Sequence, residues 1–199
     1  MKRFIFDLDG TITKEEALPK IAAHFHVREQ IEQLTKETIL GNIPFIESFI
    51  MRVNILGKLP VDSIACLLGS IDVYENLCGF IQKHKEQCSI ATGNLECWVQ
   101  PLLAKVGCES FTSKGILADN HVVKLTDILK KERIVKQYQS QGEKVIFVGD
   151  GNNDVEAMRL ADVAIASGLT HKPSMGVLSV ADYVVFSEEA LCRLLYQLL

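Results

Sequence analysis

What the sequence is missing narrows its class first. No block of lysine and arginine stands out in a chain of formal net charge −4, so a nucleic-acid partner is not expected. No apolar run approaches the roughly 20 residues of a membrane-spanning helix, so no membrane partner is expected either. Met1-Lys2-Arg3 leads straight into an apolar strand, without signal-peptide architecture. The six cysteines form no C-x-x-C pair and no cluster with histidine, which argues against a disulfide framework and against a zinc site. Scattered as Cys66, Cys78, Cys88, Cys97, Cys108 and Cys192, they read as reduced, mostly buried thiols of a cytoplasmic protein. A Walker-type Gly-Lys-Ser/Thr is absent, and so is a third glycine at the dinucleotide spacing, which sets nucleotide-binding modules aside. There remain 199 residues of ordinary globular composition, enough for one sizeable core and a small accessory domain.

The stretch that organises the chain is Phe4-Ile5-Phe6 followed by Asp7-Leu8-Asp9-Gly10-Thr11. Apolar residues running directly into two carboxylates read as a buried strand that ends at a site. Burying ionised carboxylates without a partner costs several kcal/mol, and a divalent cation is the simplest offset. Gly10 permits a turn that other residues resist, and Thr11 offers a hydroxyl beyond it.

After that turn the pattern becomes helical. Leu18, Ile21, Ala22 and Phe25 recur at helical spacing, then Val27, Ile31 and Leu34, then Ile39. Gly41-Asn42 and Pro44 punctuate, a third helix is expected from about Phe45 to Leu56, and Asp62 is placed to cap a fourth through Leu68. Residues 13–70 therefore read as an all-helical cap subdomain inserted into a core made of residues 1–12 and 71–199. From residue 73 strands and helices alternate. Helices are expected over 73–86, 96–106, 129–140 and 153–160, with a final helix to Leu199. Strands are expected at Cys88–Ala91, Ser110–Thr112, Lys144–Val148, 163–166 and 183–186, with a hairpin over 115–126. Such alternation implies an α/β fold with a doubly wound, mostly parallel sheet, whose ligands sit outside the carboxyl ends of the strands.

Strand ends carry Asp7 and Asp9, then Thr92-Gly93, then Asp150 and Asp154. Oxygen-only ligands with no histidine or cysteine nearby favour Mg²⁺, and Mg²⁺ on a few carboxylates suits phosphoryl transfer. One carboxylate can then attack phosphorus while another moves the leaving-group proton. Thr92, with the Gly93 amide at the start of a helix, offers donors to a phosphoryl oxygen. Of the adjacent lysines, Lys131 lies in line with the apolar face of Ile134, Val135 and Tyr138, which favours it over Lys130.

Asp7-Leu8-Asp9-Gly10-Thr11, Ala91-Thr92-Gly93, a lysine opening the helix before the last acidic strand, and Gly149-Asp150-Gly151-Asn152-Asn153-Asp154 resemble the motifs of the haloacid dehalogenase-like hydrolases. The resemblance spans nearly the whole chain. It implies Asp7 as nucleophile and Asp9 as general acid/base. It also implies Mg²⁺ on the Asp7 carboxylate, the Asp9 carbonyl and Asp150, supported by Asp154, with Thr92, Gly93 and Lys131 on the phosphoryl group. The helical insertion is similar to the cap of the phosphoserine phosphatase branch, through Lys14-Glu15-Glu16, Thr35-Lys36-Glu37 with Gly41, and Phe45 to Arg52-Val53. That likeness implies that Glu16 meets a substrate ammonium, Arg52 its carboxylate, and Ile39 with Phe45 an apolar wall.

The expected activity is thus Mg²⁺-dependent hydrolysis of a small phosphorylated metabolite, phosphoserine or a similar phosphorylated amino acid. Two rivals stand beside it: a phosphatase or phosphotransferase for another small phosphometabolite, and a binding regulator without chemistry. Asn94 stands where the branch usually carries a second glycine, Trp98 is bulkier than expected, and the segment from Ser113 to Lys131 is short and poorly matched. These departures bear on the leaving-group side of the pocket.

Overall fold

A computed structural model describes residues 1–39 and 42–199, with the side chains of Ile39 and Phe45 outside the description. Its centre is a seven-stranded sheet of order β4-β3-β2-β1-β5-β6-β7, parallel except for the β3–β4 pair. The strands are β1 (Lys2–Phe6), β2 (Cys88–Leu95), β3 (Glu109–Ala118), β4 (His121–Asp127), β5 (Lys144–Gly149), β6 (Val163–Ser167) and β7 (Tyr183–Val185). The helices are α1 (Ala17–His24), α2 (Arg28–Ile39), α3 (Phe45–Leu56), α4 (Val61–Gly69), α5 (Glu75–Lys83), α6 (Glu96–Val106), α7 (Lys131–Ser140), α8 (Val155–Leu160), α9 (Met175–Leu178) and α10 (Glu188–Leu198).

The pleat of β1 explains the layering. Successive side chains point to opposite faces, so Phe4 and Phe6 join the cluster built with Leu77, Phe80, Leu191 and Leu195, while Ile5 joins Phe147, Ile134, Val135 and Ala157 on the other side. All three are fully buried, which is worth about 1.5–3 kcal/mol for each side chain. The Phe80 ring meets Phe4 edge to face, 5.5 Å between centroids. Because β1 pairs with β2 on one side and β5 on the other, the chain leaves it in one direction and returns in the other. Such a reversal of strand order opens a crevice at the carboxyl ends.

The structure redraws several expected boundaries. The short strand at Ser110–Thr112 and the first arm of the hairpin are one strand, β3, which pairs parallel with β2 and then antiparallel with β4. β2 runs on through Thr92, Gly93 and Asn94, with its register to β3 shifted between Ala91 and Leu95; α6 starts only at Glu96. Thr92 and Gly93 are therefore strand residues, not the opening of a helix. Asp62 does not cap α4: the helix starts after Pro60 without a side-chain cap. The cap comes from the hairpin turn, where Asp119 and Asn120 have φ of 49° and 63°. The carbonyl of Asn120 accepts from the Val61 amide at 2.8 Å, and its Oδ1 accepts from the Asp62 amide at 3.1 Å.

Helices α1 to α4 all lie between β1 and α5. Thr38 donates to the buried Ser48 hydroxyl at 2.6 Å, tying α2 to α3. α4 packs against α6 and α1. The Val122 amide donates to the Gly57 carbonyl at 3.0 Å; a Cβ on Gly57 would stand 2.9 Å from the Val122 carbonyl oxygen, so glycine lets the hairpin approach. All six cysteines are free, Cys66 exposed and Cys78 and Cys88 buried. Burial pushes the Cys88 thiol up to about 12. No helix among the described residues is long and apolar enough to cross a membrane.

Candidate active site

The crevice at the ends of β1, β2 and β5 collects the acids. The Asp7 amide donates to the Val148 carbonyl at 2.9 Å, carrying the β1–β5 pairing one residue past the strand and fixing where the carboxylate stands. The chain then turns sharply: the Ile12 and Thr13 amides donate to the Leu8 carbonyl at 2.9 and 3.0 Å. Gly10 has φ of +70°, and a Cβ there would lie 2.7 Å from His171 Nε2 and 2.9 Å from Asp150 Oδ2. Both backbone angle and space require glycine at this turn.

Lys131 is the hub of the charges. Its Nζ lies 2.6 Å from Asp7 Oδ1 and 2.6 Å from Asp154 Oδ1, with the lysine side chain only 3% exposed. Asp154 Oδ2 accepts from the amides of Asp150 at 3.1 Å and Gly151 at 3.0 Å, and Thr11 Oγ1 donates to Asp150 Oδ1 at 2.8 Å. Burial, then the nearby Asp154, holds the Asp7 carboxyl well above the usual carboxylate range. Asp154 is raised chiefly by burial, against the pull of Lys131. Burial alone would lower Lys131, but Asp154 and Asp7 outweigh it and leave the ammonium more basic than usual.

Asp9 faces a different set. One oxygen accepts from the Ala17 amide at 3.3 Å and the other from Asn94 Nδ2 at 2.5 Å. Burial, then repulsion from Glu16, pushes its carboxyl up to about 7. Thr92, almost fully buried, accepts at Oγ1 from the Asn94 amide at 3.2 Å. On the far side of the turn, His171 Nε2 lies 2.5 Å from Glu16 Oε1 and 3.0 Å from Asp150 Oδ2, while Nδ1 lies 3.1 Å from the Lys172 carbonyl. Two carboxylates and a carbonyl around the ring are an arrangement that favours the doubly protonated imidazolium. The Asp150 hydrogen bond accordingly raises His171 to about 10.

Carboxylates still outnumber cations. Asp7, Asp150 and Asp154 are all buried and each offers an oxygen within 4.8 Å of the others, a hard-oxygen set that fits a divalent cation. Glu16, Asp150 and His171 form a second group with the same spacing.

The sequence profile of the haloacid dehalogenase-like hydrolases matches residues 1–162. The chain belongs to this family. It is 28% identical over 181 residues to a phosphoserine phosphatase of Methanocaldococcus jannaschii, covering 83% of this chain and 84% of that one. A phosphoserine phosphatase of Archaeoglobus fulgidus is 26% identical over 175 residues, and there the match covers 81% of this chain but only 51% of the relative. Among solved structures, a substrate-bound phosphoserine phosphatase complex superposes with a TM-score of 0.80 at 23% identity, over 98% of both chains. The α/β fold of a haloacid dehalogenase-like hydrolase is thereby established.

Within this hydrolase the expected residues fall into two sets. Asp7, Asp9, Thr92, Lys131, Asp150 and Asp154 converge at the carboxyl ends of neighbouring strands. Lys131 makes the ion pairs with Asp7 and Asp154, while Lys130 stands at the N-cap of α7. Gly93 is a β2 residue whose carbonyl accepts from Ser113 at 2.7 Å. Arg52, by contrast, makes no ion pair among the described residues; it is 7% exposed and its Nε has no partner, and burial lowers its basicity. The proposed wall of Ile39 and Phe45 concerns side chains outside the described residues, as does Gly41.

The expectation of no histidine near the acids is corrected by His171. It lies 155 residues from Glu16 along the chain, in an irregular Gly/Pro stretch without periodicity. The available signal was its place just after β6, on the side of the sheet where sites form. Asn94, which in sequence is a departure from the expected glycine, is the side-chain donor to Asp9.

Proposed function

We propose that this hydrolase is a Mg²⁺-dependent phosphomonoesterase acting through an aspartyl phosphate, on phosphoserine or a similarly small phosphorylated amino acid. The observation that carries the reading is the buried convergence of Asp7, Asp150 and Asp154 around Lys131. Asp7, Asp150 and the Asp9 carbonyl would hold Mg²⁺, with Asp154 supporting, and the ion would neutralise charge on the phosphoryl group.

The chain's own residues divide the chemistry. Asp7 attacks phosphorus, forming an acyl phosphate as the bond to the leaving oxygen breaks. Asp9 gives that oxygen its proton; a carboxyl raised to about 7 is about half protonated at neutrality and can both give and take a proton. Water then attacks phosphorus, Asp9 takes back a proton, and Asp7 is released as phosphate departs. Lys131 steadies the anionic groups on both sides, and Thr92 with the Gly93 amide takes a phosphoryl oxygen. Residues 13–70 serve as a cap over the crevice, excluding bulk water while Asp7 is loaded. Glu16 and Arg52 are the candidate contacts to an amino-acid ammonium and carboxylate.

A second reading, another small phosphate monoester, is favoured by a specific observation: Glu16 already holds His171. The deciding experiment is Mg²⁺-dependent hydrolysis of an aryl phosphate followed by a panel of phosphorylated metabolites. Activity that disappears in Asp7→Asn is expected. A folded, Mg²⁺-saturated protein inert on the whole panel would overturn the enzyme reading in favour of a phospho-ligand-binding regulator.

A further inference from the structure

Glu16, the carboxylate proposed above as the contact to a substrate ammonium, already has a partner: its Oε1 is taken by His171 Nε2 at 2.5 Å. The segment that presents His171 is pinned on both sides. Thr170 Oγ1 donates to the Thr13 carbonyl at 2.8 Å and contacts the Tyr74 hydroxyl at 3.3 Å. The Ser174 amide donates to the Asp150 carbonyl at 2.9 Å, and the Gly168 amide to the Val185 carbonyl at 2.7 Å. His171 is thus delivered to Glu16 by anchored backbone. An arriving ammonium would have to displace a partner tethered within the same chain, whose effective concentration far exceeds that of any free metabolite.

We propose that His171 is a specificity-determining residue that fills the cation-recognition position at Glu16 from within the protein, so that the substrate is a small phosphate monoester without an ammonium group. A phosphorylated hydroxy acid is the direct counterpart of phosphoserine in that class, with a hydroxyl where phosphoserine carries its amine. The inference rests on the phosphatase reading, sets aside its amino-acid substrate, and narrows the second reading of another small phosphate monoester. Removing the imidazole restores a bare carboxylate, and selectivity for the ammonium substrate should then rise.

The test is the ratio of kcat/KM for L-phosphoserine to that for 3-phosphoglycerate with Mg²⁺. It is measured in the parent protein, His171→Ala, His171→Gln, Glu16→Gln and the His171→Ala/Glu16→Gln double variant. Taking the ratio within each protein cancels losses of folded fraction or chemical rate. The parent ratio is expected at or below about one, rising about tenfold in His171→Ala, the usual size of a hydrogen bond to a charged group. His171→Gln, which keeps a neutral donor near Glu16, should fall between. Glu16→Gln should move the ratio by less than about threefold in the parent and remove the gain in the His171→Ala background. A parent that prefers phosphoserine more than about tenfold, or a ratio unmoved in His171→Ala, overturns the proposal while leaving the phosphatase reading intact. Inactivity of the parent on aryl phosphate and on both monoesters would instead strike at that reading, and this inference would fall with it.

Discussion

Replacing Asp9 by Asn should make the metal-free protein more stable, and the gain should depend on pH in a defined sense. The Asp9 carboxyl is raised from its ordinary 3.8 to about 7, chiefly by burial and then by Glu16. Below about pH 4 both the folded and unfolded states hold the proton, and the group contributes nothing to pH dependence. Between about pH 4 and pH 7 the unfolded chain ionises first, so stability falls as pH rises; above about 7 the full penalty stands. At about 1.4 kcal/mol per pH unit the upper bound is ~4 kcal/mol, and a half-buried carboxylate should show about half of it, ~2 kcal/mol. Asn keeps an acceptor for the Ala17 amide, and the Asn94 amide can turn over to face the new donor. Thermal melts in EDTA should therefore give Asp9→Asn a Tm higher by about 4–8 °C at pH 8.5. The difference should shrink toward zero at pH 4.5. A variant that melts no higher than the parent at pH 8.5, or a gain as large at pH 4.5, would refute the account of Asp9 as a buried, destabilising charge.

Other perturbations follow from the same geometry. Lys131→Met strands Asp7 and Asp154 without a counter-ion and should cost about 3–5 kcal/mol by urea denaturation at pH 8, with Lys130→Met close to neutral. Asn120→Ala removes the acceptor at the start of α4 and strains a φ of 63°, which should cost about 1–2 kcal/mol and speed hydrogen exchange in the first turn of α4. Arg52→Ala should raise KM for a carboxylate-bearing phosphate monoester about tenfold while leaving an aryl phosphate less affected; an equal effect on both would remove Arg52 from carboxylate recognition. EDTA should abolish hydrolysis and Mg²⁺ restore it, with Asp150→Asn raising the Mg²⁺ concentration required.

The core of the site was legible because its signals are local. Apolar strands that run into acids, as Phe4-Ile5-Phe6 into Asp7 and Val145 to Val148 into Asp150, carry both the fold and the chemistry within a few residues. Lys131 was readable because it opens an amphipathic helix and lies in line with its buried face of Ile134, Val135 and Tyr138. What escaped depends on contacts between distant segments. The cap of α4 comes from Asn120, in the turn of a hairpin 58 residues further along the chain, a partner that nothing local to Asp62 reveals. β2 continues past Thr92 because β3 pairs with it again at Leu95–Ser113, a partnership no local propensity records. His171 gains its meaning only once Glu16 and Asp150 stand beside it.

The hairpin turn at Asp119-Asn120 has a mechanical consequence for the helices inserted between β1 and α5. With the Val61 amide on Asn120, the Val122 amide on Gly57, and α4 seated on α6, the stretch from residue 57 onward is bolted to the sheet edge. Because α4 also packs against α1, and α3 against β4, the same sheet edge supports the inserted helices at three places. Loosening the turn at Asn120 would therefore loosen α4 first and, through it, α1, the helix whose amide at Ala17 holds Asp9.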